Sequence, residues 1–190
     1  MLFAVKKRAG GSLLLLALLV LAAWFLGVDF HVGADVGAAA RLGLGLVLMA
    51  GSDGGLHALF AFTLGRLYLS RYRALVEYFT GQGTAALLAG SLLAGGEELV
   101  FRGVILEGLR GDLGVAGALA VSSGLFGLCH LIPRRGLWPF ALWAVWEGAL
   151  LGGVYVWSGS LAVVVCLHVL HDLGGFSWFA FQRRTGCLLG

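Results

Sequence analysis

Charge is what this sequence has least of. Lys, Arg, Asp and Glu together make up 12% of its 190 residues, about half the share of an ordinary soluble domain. With 59% hydrophobic residues, such a chain could not cover a water-facing surface with polar groups. Proline is nearly absent, two residues against 32 glycines, and a surplus of glycine suits helices packed closely in lipid. No basic run is long enough to suggest nucleic-acid binding, and the formal charge is only +3. The three cysteines, Cys129, Cys166 and Cys187, are odd in number and lie in or beside apolar stretches. That arrangement excludes a disulfide framework and a CxxC metal pair.

What the chain does have is apolar length. Its mean hydropathy is +0.94, and a membrane-spanning helix needs about 20 mostly apolar residues. Candidate spans lie at 11–28, 42–64, 84–109, 114–132, 137–157 and 160–181. Short turns separate the later ones, as at Gly81-Gln82-Gly83, Gly111-Asp112 and Ser158-Gly159-Ser160. The expected fold is all-α, a single polytopic transmembrane bundle over residues 1–190.

Cytoplasmic loops are enriched in Lys and Arg. Six spans with both termini cytoplasmic put Lys6, Lys7, Arg8, Arg66, Arg71, Arg73, Arg134, Arg135, Arg183 and Arg184 on that side, against Arg41 and Arg110 on the other. Lys6-Lys7-Arg8, the apolar run and Ala38-Ala39-Ala40 also resemble a cleavable signal peptide. An uncleaved anchor is the preferred reading, because the run is long and the site lies well past it. The second span is interrupted by Ser52-Asp53-Gly54-Gly55 and His57, so a broken or re-entrant helix is expected there.

Ionisable groups at membrane depth cost at least roughly 2.5–3.5 kcal/mol each on insertion scales, so they mark site candidates. The spans hold Asp53, His57, Glu97, Glu98, Arg102, Glu107, His130, Glu147, His168, His171 and Asp172. Glu98 and Arg102 are four apart and share a helix face, where they can pair. Glu97 points about 100° away and has no local cation. A desolvated, unpaired carboxylate holds a proton more readily, as a general base near neutrality must. The plain structural alternative is an ion pair with a spare glutamate in a crevice. His130 follows Phe126-Gly127-Leu128-Cys129, and alone it reads as an interfacial histidine. His168 and Asp172, four apart, alone read as a polar seam between helices. Polar sites recurring on three helices favour function. Asp53 and His57, also four apart, are expected to pair with each other, and Glu147 to pair with an arginine across helices.

Glu97-Glu98-x-x-x-Arg102, Phe126-x-x-x-His130 and His168-x-x-x-Asp172 resemble, in order, the EExxxR, FxxxH and HxxxN/D motifs of the CPBP intramembrane proteases. That group covers CAAX-processing enzymes and Abi-type bacteriocin-processing proteins. The resemblance spans about half the chain, with residues 84–182 as catalytic core and 1–80 as accessory spans. It implies an intramembrane glutamic endopeptidase that cuts a membrane-embedded or lipid-anchored protein or peptide: a prenylated CAAX-like end, a carboxyl-terminal tail or a secretion-signal peptide. Glu97 would activate water and His130 would hold it. His168 and Asp172 would face the oxyanion, while Glu98 and Arg102 would brace the site. Asp172 departs from the Asn variant. Either it carries a proton and donates, or it orients His168 or His171.

No cofactor is expected. Zinc held by Glu97, His130 and His168 is the second reading, weakened by the lack of an HExxH pair. A Cys129–His130 nucleophile is third, since adjacent helical residues point apart. A non-catalytic immunity or scaffold protein and an ion-coupled transporter are the remaining alternatives. The composition fits a bacterial inner (plasma) membrane protein.

Overall fold

The computed structural model describes residues 37–132, 136–137 and 139–186. The proposed first span at 11–28, Lys6 to Arg8, Arg134, Arg135 and Cys187 lie outside them. The described residues are helical, with no strand. We label the helices α1 (Ala38–Leu64), α2 (Arg66–Thr80), α3 (Thr84–Glu98), a π-helix (Leu99–Leu106), α4 (Glu107–Cys129), α5 (Pro139–Ser158) and α6 (Leu161–Thr185).

Four continuous helical stretches are long and apolar enough to cross a membrane: Ala38–Leu64, Thr84–Cys129, Pro139–Ser158 and Leu161–Thr185. Thr84–Cys129 covers two of the expected spans, and Gly114 bends it. Its backbone lies at φ 66°, ψ 173°, a region that only glycine enters freely. The bend folds α4 back onto the π-helix. Ser122 Oγ donates to Phe101 O at 2.7 Å, and the rings of Phe101 and Phe126 meet edge-on at 5.0 Å. Residues 21 positions apart in a straight helix would be about 30 Å apart. The interrupted second span is a continuous helix, α1. Its Ser-Asp-Gly-Gly stretch does not break it, because the hydroxyl of Ser52 accepts from Trp146 of α5 and the Asp53 carboxylate meets His171 of α6.

The basic connection after α1 is also helical. Tyr72 of α2 donates to Gln182 of α6 at 3.1 Å, and Arg183 of α6 donates to Thr80 at 3.0 Å. Phe79 stacks beside Phe140, Phe176 and Phe179. α6 starts at Ser160, whose hydroxyl accepts from the Val163 amide, a standard N-terminal cap. It stops at Gly186 in the left-handed region, with Arg183 and Arg184 in its last turn, where positive charge suits the helix dipole.

The core is built from Met49, Leu106, Leu151, Tyr155, Leu161, Val164 and Leu167, all nearly inaccessible. The outside is apolar too. Val47, Phe62, Leu92, Leu128 and Leu142 are each more than 60% exposed. Large aliphatic and aromatic side chains facing outward along long helices are what a lipid-facing surface requires. The protein is an integral membrane protein.

Candidate active site

The six residues marked by sequence come together where α3, the π-helix, α4, α5 and α6 meet. The two adjacent glutamates end up in opposite circumstances. Glu98 is wholly buried. Its Oε1 accepts from Arg102 Nη1 at 2.9 Å and from His168 Nδ1 at 2.7 Å. Arg102, equally buried, sends Nη2 to the Gly148 carbonyl at 2.7 Å and lies 5.0 Å over the Phe126 ring. One carboxylate thus ties α3 to α6 directly, and through Arg102 to α5.

Glu97 has no such lock. Its side chain is 36% exposed, and its Oε2 lies 3.6 Å from His130 Nε2. That distance is too long for a direct hydrogen bond and falls where a bridging water is the first thing to consider. His130 Nδ1 is 2.8 Å from the Phe126 carbonyl. A carbonyl only accepts, so Nδ1 carries the proton. In the neutral ring Nε2 then presents its lone pair toward Glu97. The Phe126 ring stacks at 4.3 Å on His130 and 5.7 Å from His168, so the aromatic of FxxxH packs against both histidines.

His168 is fixed in the same manner. With Nδ1–H given to Glu98, its Nε2 is 3.9 Å from Asp172 Oδ1. Asp172 is partly open, its side chain 23% exposed, and lies 4.0 Å from His171 Nδ1. The geometry therefore sorts the residues into a buried brace, Arg102–Glu98–His168, and a more accessible edge, Glu97, His130 and Asp172. A carboxylate and an imidazole lone pair on that edge can together orient one water and take its proton.

Gly148 is needed for this packing. A Cβ there would meet Ser123 Cα at 3.2 Å and Phe126 at 3.3 Å, and its carbonyl takes the Arg102 hydrogen bond. The GxxxG pattern beginning at Gly148 thus serves the site, and the Arg102 contact shows why.

Two expected pairings, one from spacing and one across helices, do not form among the described residues. Asp53 does not pair with His57. It bonds His171 Nε2 at 2.5 Å, while His57 Nδ1 is 2.9 Å from the Tyr68 hydroxyl. Four-residue spacing permits an intrahelical pair, but partners from α6 and α2 are closer. Glu147 accepts from Trp143 Nε1 at 3.1 Å and faces His171 Nδ1 at 3.8 Å. Among the described residues no arginine forms an ion pair with it, and Arg102 is committed to Glu98 and Gly148. Cys129 is exposed, and the group beside the imidazole of His130 is Glu97.

The π-helix immediately after Glu98 carries no signature in the sequence. Such i→i+5 segments gather at functional sites, but Leu99–Leu106 reads only as apolar. Phe101 O is engaged by Ser122, and a serine facing that helix in an apolar run was the one available hint.

The family model described as Type II CAAX prenyl endopeptidase Rce1-like matches residues 80–174, which include both glutamates, both motif histidines and Asp172. No curated protein and no solved structure matches the chain.

Proposed function

The chain belongs to the type II CAAX prenyl endopeptidase Rce1-like family, and on that premise we propose that it hydrolyses a peptide bond of a membrane-associated substrate with Glu97 as the base. A peptidase embedded in the membrane follows from the family and the apolar helices; the residue roles are our reading. The observation that carries it is the contrast between the two glutamates. Glu98 has its Oε1 saturated by Arg102 and His168, whereas Glu97 is accessible and faces only an imidazole nitrogen.

Glu97 and His130 hold a water between them. Glu97 takes one of its protons as the oxygen attacks the substrate carbonyl carbon. The resulting oxyanion lies toward His168 Nε2 and Asp172, which donate to it when His168 is the imidazolium, its Nδ1–H on Glu98 and its Nε2–H turned to the oxyanion, and Asp172 carries a proton. As the carbon–nitrogen bond breaks, Glu97 returns its proton to the departing amine, so the base is restored. Glu98 keeps His168 oriented and Arg102 holds the Glu98 carboxylate in place, so both act through His168. No metal is required by this sequence of steps.

In this reading residues 84–182 are the catalytic core of one membrane domain and residues 1–80 are accessory. Six spans with both ends cytoplasmic, in a bacterial inner membrane, place the site within reach of a prenylated end, a carboxyl-terminal tail or a leader peptide. Glu97→Gln is the test. It keeps shape and polarity but removes the proton acceptor. Cleavage of a prenylated CAAX peptide or a tail-anchored reporter is expected to fall by about a hundredfold or more, with thermal unfolding unchanged. Retained cleavage would remove Glu97 from the mechanism.

A further inference from the structure

Apart from the two glutamates and their partners, one further group of ionisable side chains meets inside the bundle. Asp53 of α1, Glu147 of α5 and His171 of α6 each offer a ligand atom, and the three atoms lie within 4.8 Å of one another. Among the described residues this is the one such grouping of His, Cys, Asp and Glu. Asp53 Oδ2 is 2.5 Å from His171 Nε2, and Glu147 Oε1 is 3.8 Å from His171 Nδ1. Independently, Asp53 Oδ1 and His171 Nδ1 are buried without a hydrogen-bond partner, although buried polar atoms are almost always satisfied.

Among the described residues, no Lys or Arg forms an ion pair with Asp53 or Glu147. The guanidinium whose field reaches Glu147 is that of Arg102, and it is spent on Glu98 and the Gly148 carbonyl. Trp143 gives Glu147 a single neutral donor. Two carboxylates therefore share one imidazole between membrane-spanning helices, where uncompensated charge is costly.

We propose that Asp53, Glu147 and His171 bind a divalent transition cation, zinc being the best match, which fastens α1 to α5 and α6. Two carboxylate oxygens and one ring nitrogen form a mixed oxygen–nitrogen donor set of the kind zinc accepts, with a fourth position left for water. Nδ1 of His171, which has no hydrogen-bond partner and faces Glu147 Oε1, is the nitrogen free to coordinate; Nε2 keeps its hydrogen bond to Asp53 Oδ2, as the second nitrogen of metal-bound imidazoles does, and leaves Asp53 Oδ1 as that carboxylate's donor. A dication offsets both carboxylate charges and gives the unpartnered atoms a ligand. The site is distinct from the Glu97–His130 pair. Asp53 lies on α1, outside the 80–174 family match, and the cluster borders the catalytic edge at His171 Nδ1, 4.0 Å from Asp172. Zinc found in this protein would therefore not by itself make the reaction metal-dependent; the ligands decide.

The test uses the full chain in detergent, stripped with a chelator and titrated with Zn²⁺ against a chromophoric competitor, with thermal unfolding followed in parallel. One zinc per chain is expected, with a raised Tm, and the same result in Glu97→Gln and His130→Gln. Asp53→Asn and Glu147→Gln, each confirmed monodisperse before titration, should weaken binding by about tenfold or more and abolish the zinc-induced rise in Tm. Asp53→Asn alters the more exposed carboxylate and serves if Glu147→Gln does not fold. Absence of zinc binding, binding unchanged in both carboxylate variants, or binding lost in His130→Gln would each overturn the proposal. The last outcome would move the metal to the catalytic set.

Discussion

Arg102→Ala probes the brace beneath the site. The guanidinium and the Glu98 carboxylate are 1% and 0% exposed, so removing Arg102 leaves a carboxylate charge with no solvent and only His168 beside it. Breaking a buried ion pair from one side costs about 3–5 kcal/mol. The Gly148 carbonyl also loses its donor, about 1–3 kcal/mol, and Phe126 loses a cation over its face, about 0.5–2 kcal/mol. These losses overlap, because one relaxation of α5 and α6 serves all three. A net of about 4 kcal/mol is expected, near a thousandfold in the unfolding equilibrium. Reversible unfolding in mixed micelles measures it directly. Arg102→Lys keeps the charge, but a single ammonium lacks the fork that serves Glu98 and Gly148 together, so it should fall between. Pairing Arg102→Met with Glu98→Leu should recover part of the stability, since apolar replacements of a buried pair are often tolerated, while cleavage stays abolished. An Arg102→Ala protein within about 1 kcal/mol of wild type would refute the brace.

Other outcomes follow from the same geometry. Asp172→Asn should keep substantial cleavage if Asp172 donates to the oxyanion, because the amide supplies a donor of similar size; near-complete loss in a folded protein would mean that it orients a histidine instead. Gly114→Ala should destabilise by about 1–3 kcal/mol from backbone strain alone, since a Cβ there meets nothing within 4 Å; an unchanged Tm would argue against the bend. Gly127→Ala would place a Cβ 2.7 Å from the Ala141 carbonyl, so it should push α4 from α5 and reduce kcat through His130 more than it changes KM. Reporter fusions after Arg73 and Arg184 should read cytoplasmic and fusions at Asp112 and Ser158 should not; the reverse pattern would invert the proposed orientation.

Ionisable residues in apolar runs are few and expensive, which is why eleven of them stood out as candidates; the resemblance to three ordered family motifs then narrowed these to Glu97, Glu98, Arg102, His130, His168 and Asp172. Helix-scale spacing also identified the Glu98–Arg102 pair correctly, because a separation of four still leaves the two on one side across the junction of α3 and the π-helix. The same rule failed for Asp53 and His57. Their separation allowed a local pair, yet helix packing set α6 against Asp53 and α2 against His57, and no spacing within α1 encodes either neighbour. Charge alone marked residues 66–80 as a cytoplasmic connection. That they fold as α2 depends on Tyr72, Phe79 and Thr80 finding partners on α6. The opposite fates of the adjacent glutamates follow from His168 and His130, which approach from separate helices.

The π-helix sets a tolerance on chain length. Its i→i+5 bonding accommodates, between Glu98 and Glu107, slack that an α-helix would not hold. Loss of one residue from 99–106 would let the segment tighten to i→i+4 pitch without breaking the helix. The bend at Gly114 and everything after it would then rotate relative to Glu97 and Glu98, and Phe101 O would turn away from Ser122. Single-residue deletions within the π-helix should therefore produce proteins that still insert as helices yet cannot bring His130 to Glu97, so insertion and catalysis would separate at a change of one residue in length.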